Sequence, residues 1–348
     1  MAPRDNQKRK GALNMFLIHI TEKALEEICL GKYPNWLAIA KMQTKIVISV
    51  YNNDIFLDDE NPINIFMKSY GVSVEPNNDY IEKIPQDHKS VLNNPCGAFL
   101  LDIDEKTAKQ IELDYGVICQ STKNVNDNSL IYSKEISSEE REEIHNWTNF
   151  LQYIKSTPSN TLLVNDRYLF ANDDNIHKNG IHNAAKIIDA ILPADFKSDY
   201  HVLFVFDSLK LKPGITFSNI ANWLNKEIRG IRPYPIKLEM ISVKMNSYLY
   251  EHTHNRRIIS NYSIIRSEHK FNAFYESKCL CSQTLNCDML YSKGISNDSD
   301  CPIKPYLKMI NDLKSIANYG KTHATSGYEY ACNGNTSLPI SSLQNRLL

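Results

Sequence analysis

The chain has 348 residues, 42% hydrophobic and 23% charged, the proportions of a folded globular protein with two ordinary domains or one large one. Its 39 lysines and arginines nearly balance its 40 aspartates and glutamates, for a net charge of −1. That balance excludes a partner found through global positive charge and leaves room for a local basic patch.

In chain order, Met1 to Lys10 is basic and polar. The apolar run that follows, Ala12 to Ile20, contains Asn14 and His19 and lacks a small-residue cleavage signal. The expectation is a disordered basic start over 1–12, no secretory leader and a first strand over 14–20. No apolar run approaches the roughly 20 residues of a membrane span. Thr21 can cap a helix starting at Glu22; Gly31 and Pro34 interrupt it, and a second helical piece runs from Asn35 to Gln43. Lys45 to Tyr51 reads as a buried strand. A second unit follows: strand Ala98–Ile103, cap Asp104, helix Glu105–Leu113, stop at Gly116, strand Val117–Cys119. Strands alternating with helices predict parallel β–α–β connections, and so an α/β domain over 13–155.

Ser137 to Lys155 carries acids at its start and Ile144, Trp147, Leu151 and Ile154 at helical spacing. The breakers Ser156 to Asn160 mark the expected domain boundary. Beyond them come strand Thr161–Leu169, helix Asn183–Leu192, strand His201–Phe206, helix Phe217–Ile228, strand Ile236–Val243, strand Ser263–Arg266 and helix Asn311–Ala317. This is again an α/β pattern, over 156–317. The last stretch, 318–348, is rich in Asn, Ser, Thr and Gly and reads as a disordered tail.

The eight cysteines do not form two facing pairs at zinc-ligand spacing; the closest, Cys279 and Cys281, stand one residue apart. Reduced thiols, a cytoplasmic protein and no bound metal or cofactor are expected. Asp54, Asp58, Asp59, Glu60, Asp102 and Asp104 resemble scattered nuclease carboxylates, but no spacing rule selects them, and they read as loop acids and caps.

The segment that carries chemistry is Tyr250-Glu251-His252-Thr253-His254-Asn255-Arg256-Arg257-Ile258-Ile259-Ser260-Asn261. If it is extended, His252, His254 and Arg256 share one face. Two imidazoles and a guanidinium there make an oxyanion site: the guanidinium offers a planar fork to phosphate, and an imidazole can donate a proton or attack phosphorus. The plainer alternative is an edge strand with solvated polar residues. Arg257, His269 and Lys270 extend the basic patch, and Asp166, at the end of a strand, can support Arg256 or His254.

His254-x-Arg256-x-x-x-x-Asn261 resembles the phospholipase D signature His-x-Lys-x-x-x-x-Asp, with Arg for Lys and Asn for Asp. The wider phrase, through Ser263-Ile264-Ile265 and Phe271-Asn272-Ala273-Phe274, together with Asn165-Asp166-Arg167-Tyr168, is similar to a divergent branch of that superfamily. The branch includes the C-terminal domain of MIT-domain proteins and related bacterial defence-associated proteins. The resemblance covers about 156–317 and implies a degenerate phospholipase D-like α/β domain. It implies His254 as nucleophile or acid, Arg256 as phosphate holder and Asn261 as supporting residue, with no metal. A single motif implies a homodimer if the site is active. Since Asn261 cannot stabilise a histidinium by charge, the leading expectation is a non-hydrolytic role. The site would bind phosphate of a nucleic acid or form an assembly interface with a protein partner, in a prokaryotic defence or mobile-element system. The competing readings are a metal-independent phosphodiesterase or nuclease acting as a dimer through His254, and a purely structural interaction module.

Overall fold

A computed structural model describes residues 16–42, 45–50, 53–130, 132–152, 154, 157–171, 175–244, 247, 249–250, 252–254, 256–267, 271, 274–275, 278–279, 285–290, 303–319 and 327–348. The chain divides into two units, 1–132 with 289–303, and 133–288 with 304–348. Both are α/β.

The first unit is built on five strands: β1 (Ile18–Thr21), β2 (Lys45–Ser49), β3 (Ser73–Pro76), β4 (Ala98–Leu101) and β5 (Ile118–Ser121). Their order is β3-β2-β1-β4-β5, and every pairing is parallel, as the alternation of strands and helices predicts. Helices α1 (Glu22–Cys29), α2 (Pro34–Met42), α3 (Pro62–Tyr70), α4 (Asn78–Lys83) and α5 (Glu105–Tyr115) connect the strands. Asp104 caps α5 by accepting from Thr107 N at 2.9 Å, and Gly116 ends it in the left-handed region at φ 61°. The six loop acids are exposed, as caps and solvated side chains. The expected strand residues Asn14 and Met15, like the basic start, lie outside the described residues.

The second unit is a mixed sheet in the order β15-β9-β8-β7-β10-β11-β14-β6. Its strands are β6 (Ser133–Glu135), β7 (Thr161–Asn165), β8 (Tyr200–Phe206), β9 (Ile236–Val243), β10 (Arg256–Ser260), β11 (Ser263–Ser267), β14 (Leu285–Met289) and β15 (Tyr328–Cys332). A separate pair, β12 (Phe274–Tyr275) and β13 (Lys278–Cys279), is antiparallel. Helices α6 (Ser138–Glu143), α7 (Trp147–Gln152), α8 (His182–Ile191), α9 (Phe217–Glu227) and α10 (Ile303–Tyr319) complete the unit. The three central strands β7, β8 and β9 are parallel, and all seven residues of β8 are buried, the continuous apolar run of a strand covered on both faces. Strand β10 runs antiparallel to β7, and β11 antiparallel to β10.

Three expectations are corrected. The division falls at Ser133 and not near 156, because β6 pairs with β14 and Trp147 donates from its indole to Asn183 Oδ1 at 3.0 Å, tying 133–155 to the second unit. The single helix expected over that stretch is two short ones, with Ile144 buried between them. The tail expected to be disordered is structured over 327–348: β15 adds to β9, and the last residues fold back on the sheet, with Leu347 fully buried. There Arg346 reaches Asp199 at 2.8 Å, His201 Nδ1 lies 3.0 Å from the Gln344 carbonyl, and Gln344 N donates to Glu239 at 2.7 Å. Polar composition hid a segment held by specific hydrogen bonds.

Candidate phosphate site

Parallel strands bring their carboxyl ends to one edge of a sheet, where the chain leaves through loops. In the second unit that edge carries Asp166-Arg167-Tyr168 after β7 and Asp207-Ser208-Leu209-Lys210 after β8. Asp166 shapes the first turn by accepting from Tyr168 N at 2.9 Å, with Leu169 N donating to its carbonyl at 3.2 Å. Asp207 shapes the second by accepting from Leu209 N at 2.9 Å. Because β10 runs the other way, its first residue arrives at the same edge. The register sets Arg257 opposite Asn165, so Arg256 stands beside Asp166, with Nε 3.8 Å from Oδ1.

The result is a layered arrangement of charge. The Asp166 and Asp207 side chains are fully buried, Arg167 is 8% exposed and Arg256 17%. The acids lie below and the cations above them. Arg167 is fixed twice: Nε bonds Asp207 Oδ2 at 3.0 Å, and its guanidinium lies 3.6 Å from the centre of the Tyr250 ring. The two terminal nitrogens of Arg167 make no hydrogen bond among the described residues and are not sealed from solvent. Around the half-buried Tyr168 ring stand Arg256 at 5.4 Å, Arg167 at 5.6 Å and Lys210 at 6.0 Å. Lys210 has no carboxylate partner among the described residues, and the Tyr168 hydroxyl no hydrogen bond there. Asp166 also accepts from Phe271 N at 2.6 Å, so both its oxygens are engaged.

The expected site residues are dispersed. His252–His254 form a 3-10 turn, not a strand, so the shared extended face of His252, His254 and Arg256 does not exist; β10 starts only at Arg256. His254 is exposed, and the His252 side chain, His269 and Lys270 lie outside the described residues. Arg257 points to the opposite face of β10 from Arg256, as alternation along a strand requires, and stands across from Arg266. Burial and the Arg266 charge push its guanidinium down from its usual range.

Asn261 is at the other end of β10, five residues or roughly 17 Å of extended chain from Arg256. It is fully buried and builds the fold. Its Oδ1 accepts from Asn160 N at 2.8 Å and Thr161 N at 3.2 Å, and its Nδ2 donates to Asn160 Oδ1 at 3.0 Å. Arg256 and Asp166 do meet. Arg167, Tyr168, Asp207, Lys210 and Tyr250 were not selected from sequence as site residues.

No group of three or more potential metal-ligating side chains occurs among the described residues, and no helix there is long and apolar enough to cross a membrane. Among the described residues, Cys29, Cys96, Cys119, Cys287 and Cys332 form no disulfide. No protein-family model matches the chain, and no curated protein matches it.

Proposed function

We propose that the second unit binds phosphate, that of a nucleic acid, at the carboxyl edge of β7 and β8. The observation that carries this reading is the convergence of Arg167, Lys210 and Arg256 around Tyr168 above two buried carboxylates. Asp207 holds the Arg167 guanidinium in place by a hydrogen bond, and Asp166 stands 3.8 Å from Arg256, before any ligand arrives, which lowers the ordering cost of binding. A guanidinium with Nε tied down still offers its outer nitrogens to phosphate oxygens. Tyr168 and Tyr250 add the aromatic surface that accompanies cations in nucleic-acid grooves.

The site is read as binding without hydrolysis. Asp166 and Asp207 are already engaged with guanidinium and amide donors, which supports a holding role and not a general base. A divergent phospholipase D-like relationship and a role as accessory or effector in a defence or mobile-element system belong to the same proposal. They rest on the sequence resemblance.

The test is fluorescence anisotropy of labelled single-stranded DNA and RNA over a salt series. Three cations at the ligand predict a slope of log K against log salt of about −2, and Lys210→Ala reduces its magnitude by about 0.7. Absence of binding at low salt, or an unchanged slope in folded Lys210→Ala and Arg256→Gln, overturns the reading.

A further inference from the structure

We propose that the ligand of this site is a strand end: a terminal phosphate monoester on unpaired nucleic acid, with the terminal nucleoside against Tyr168. The inference rests on the phosphate-binding reading and narrows it. Its basis is burial. The Arg167 and Arg256 side chains are only 8% and 17% exposed, so little of either guanidinium is open to a ligand.

The phosphates of a duplex lie along a stiff, wide cylinder and suit cations that project from a surface. An internal diester in a single strand is flexible, but it carries chain on both sides and only two non-bridging oxygens. A terminal monoester projects from one attachment, presents three oxygens and carries a charge of about −1.5 to −2 at neutral pH.

Arg167, Arg256 and Lys210 outweigh the two buried carboxylates beside them by one positive charge, which favours an anion there. The Arg167 terminal nitrogens make no hydrogen bond among the described residues, and Lys210 has no carboxylate partner there; Arg256 adds a third positive charge. The Tyr168 hydroxyl has no hydrogen bond among the described residues, and its half-buried ring lies within reach of a nucleoside next to the phosphate. Ring and cations together distinguish a nucleotide end from an isolated anion.

The experiment compares one labelled 12-nucleotide strand with 5′-phosphate, 3′-phosphate or only hydroxyl ends, the 5′-phosphorylated duplex, and a nucleoside monophosphate as competitor, all on the full-length wild-type protein. A phosphorylated single strand of one polarity should bind at least about tenfold tighter than the hydroxyl-ended strand. Lys210→Ala and Tyr168→Ala should shrink that ratio. Equal affinity for phosphate and hydroxyl ends overturns the inference while leaving nucleic-acid binding in place. Equal affinity for the duplex, or a monophosphate that binds as tightly as the strand, overturns it too. Failure to bind any of these oligonucleotides sinks the underlying reading with it.

Discussion

His19 offers a sharp test of the first unit. It lies in β1, 1% exposed, stacked on Phe99 with ring centres 4.7 Å apart and edge-on to Tyr80 at 5.1 Å. Neither ring nitrogen has a hydrogen-bond partner among the described residues. Burial, helped by the Lys45 charge, pushes its pKa from 6.5 down to about 3. The fold therefore holds the neutral imidazole, whereas the unfolded chain takes up a proton below pH 6.5. Stability is complete above that value and is lost as the pH falls, by about 1.4 kcal/mol for each pH unit until about pH 3. At pH 5 the loss is about 2 kcal/mol, a large part of a domain's total stability. His19→Leu keeps the volume, removes two unsatisfied polar atoms (about 1–3 kcal/mol) and gives up a ring contact (about 0.5–1.5 kcal/mol). The variant should be at least as stable as wild type at pH 8 and more stable by about 2 kcal/mol or more at pH 5. Urea unfolding of both proteins across that range, followed by fluorescence, measures it. A variant whose stability falls with pH as steeply as wild type would refute the reasoning, because the titration would then lie elsewhere.

The other predictions concern the second unit. Asn261→Ala removes the acceptor of the buried Asn160 and Thr161 amides and should cost about 2–4 kcal/mol in urea unfolding. Nucleic-acid affinity of the folded fraction should not change, and a selective loss of binding would restore Asn261 to the site. Arg346→Ala removes the links to Asp199, Ser198 and Asn160 that hold the end of the chain. It should lower Tm by a few degrees and expose the last residues to carboxypeptidase; unchanged protease resistance would contradict the anchoring role. Burial raises the Asp199 carboxyl, but His201, Arg346 and Ser198 pull it further down, to about 2. Its stabilising contribution is thus present above about pH 4 and disappears as the pH falls toward 2. Asp199→Asn should flatten the acid limb of a pH–Tm profile in that range, and an unaltered limb would count against it.

Much of the fold could be read in the sequence because burial leaves a pattern. The apolar run of β8, the spacing of Ala184, Ile187 and Ile188 in α8, and the Asp104 and Gly116 stops around α5 all announce themselves locally. Strand β3, with Val74 its one buried residue, carries too little pattern to be seen. The closing segment was missed for a different reason. Its order comes from Gln344 and Arg346 meeting Glu239 and His201 of distant strands and Asp199 just before β8, and composition cannot register such pairings.

The site was half visible. Arg256 and Asp166 were both singled out, and the antiparallel register joins them. Asn261 drew attention through spacing, but the length of β10 carries it to the opposite end of the sheet. Arg167 enters the sequence reading only within the Asn165-Asp166-Arg167-Tyr168 phrase, with no role of its own. Its role depends on Asp207, forty positions later, reaching the same edge by a parallel connection. The available signal was two buried strands, each followed by an aspartate, the first aspartate followed at once by Arg and Tyr.

The arginine fork can be watched directly. In side-chain nitrogen–proton NMR spectra of arginine-labelled protein, a 5′- or 3′-phosphorylated single strand titrated in should move the Arg167 terminal-nitrogen signals and slow the rotation of that group. Arg346, at the far end of β7, should stay still. Binding that leaves the Arg167 signals unmoved would contradict an anion site at the carboxyl edge of β7 and β8.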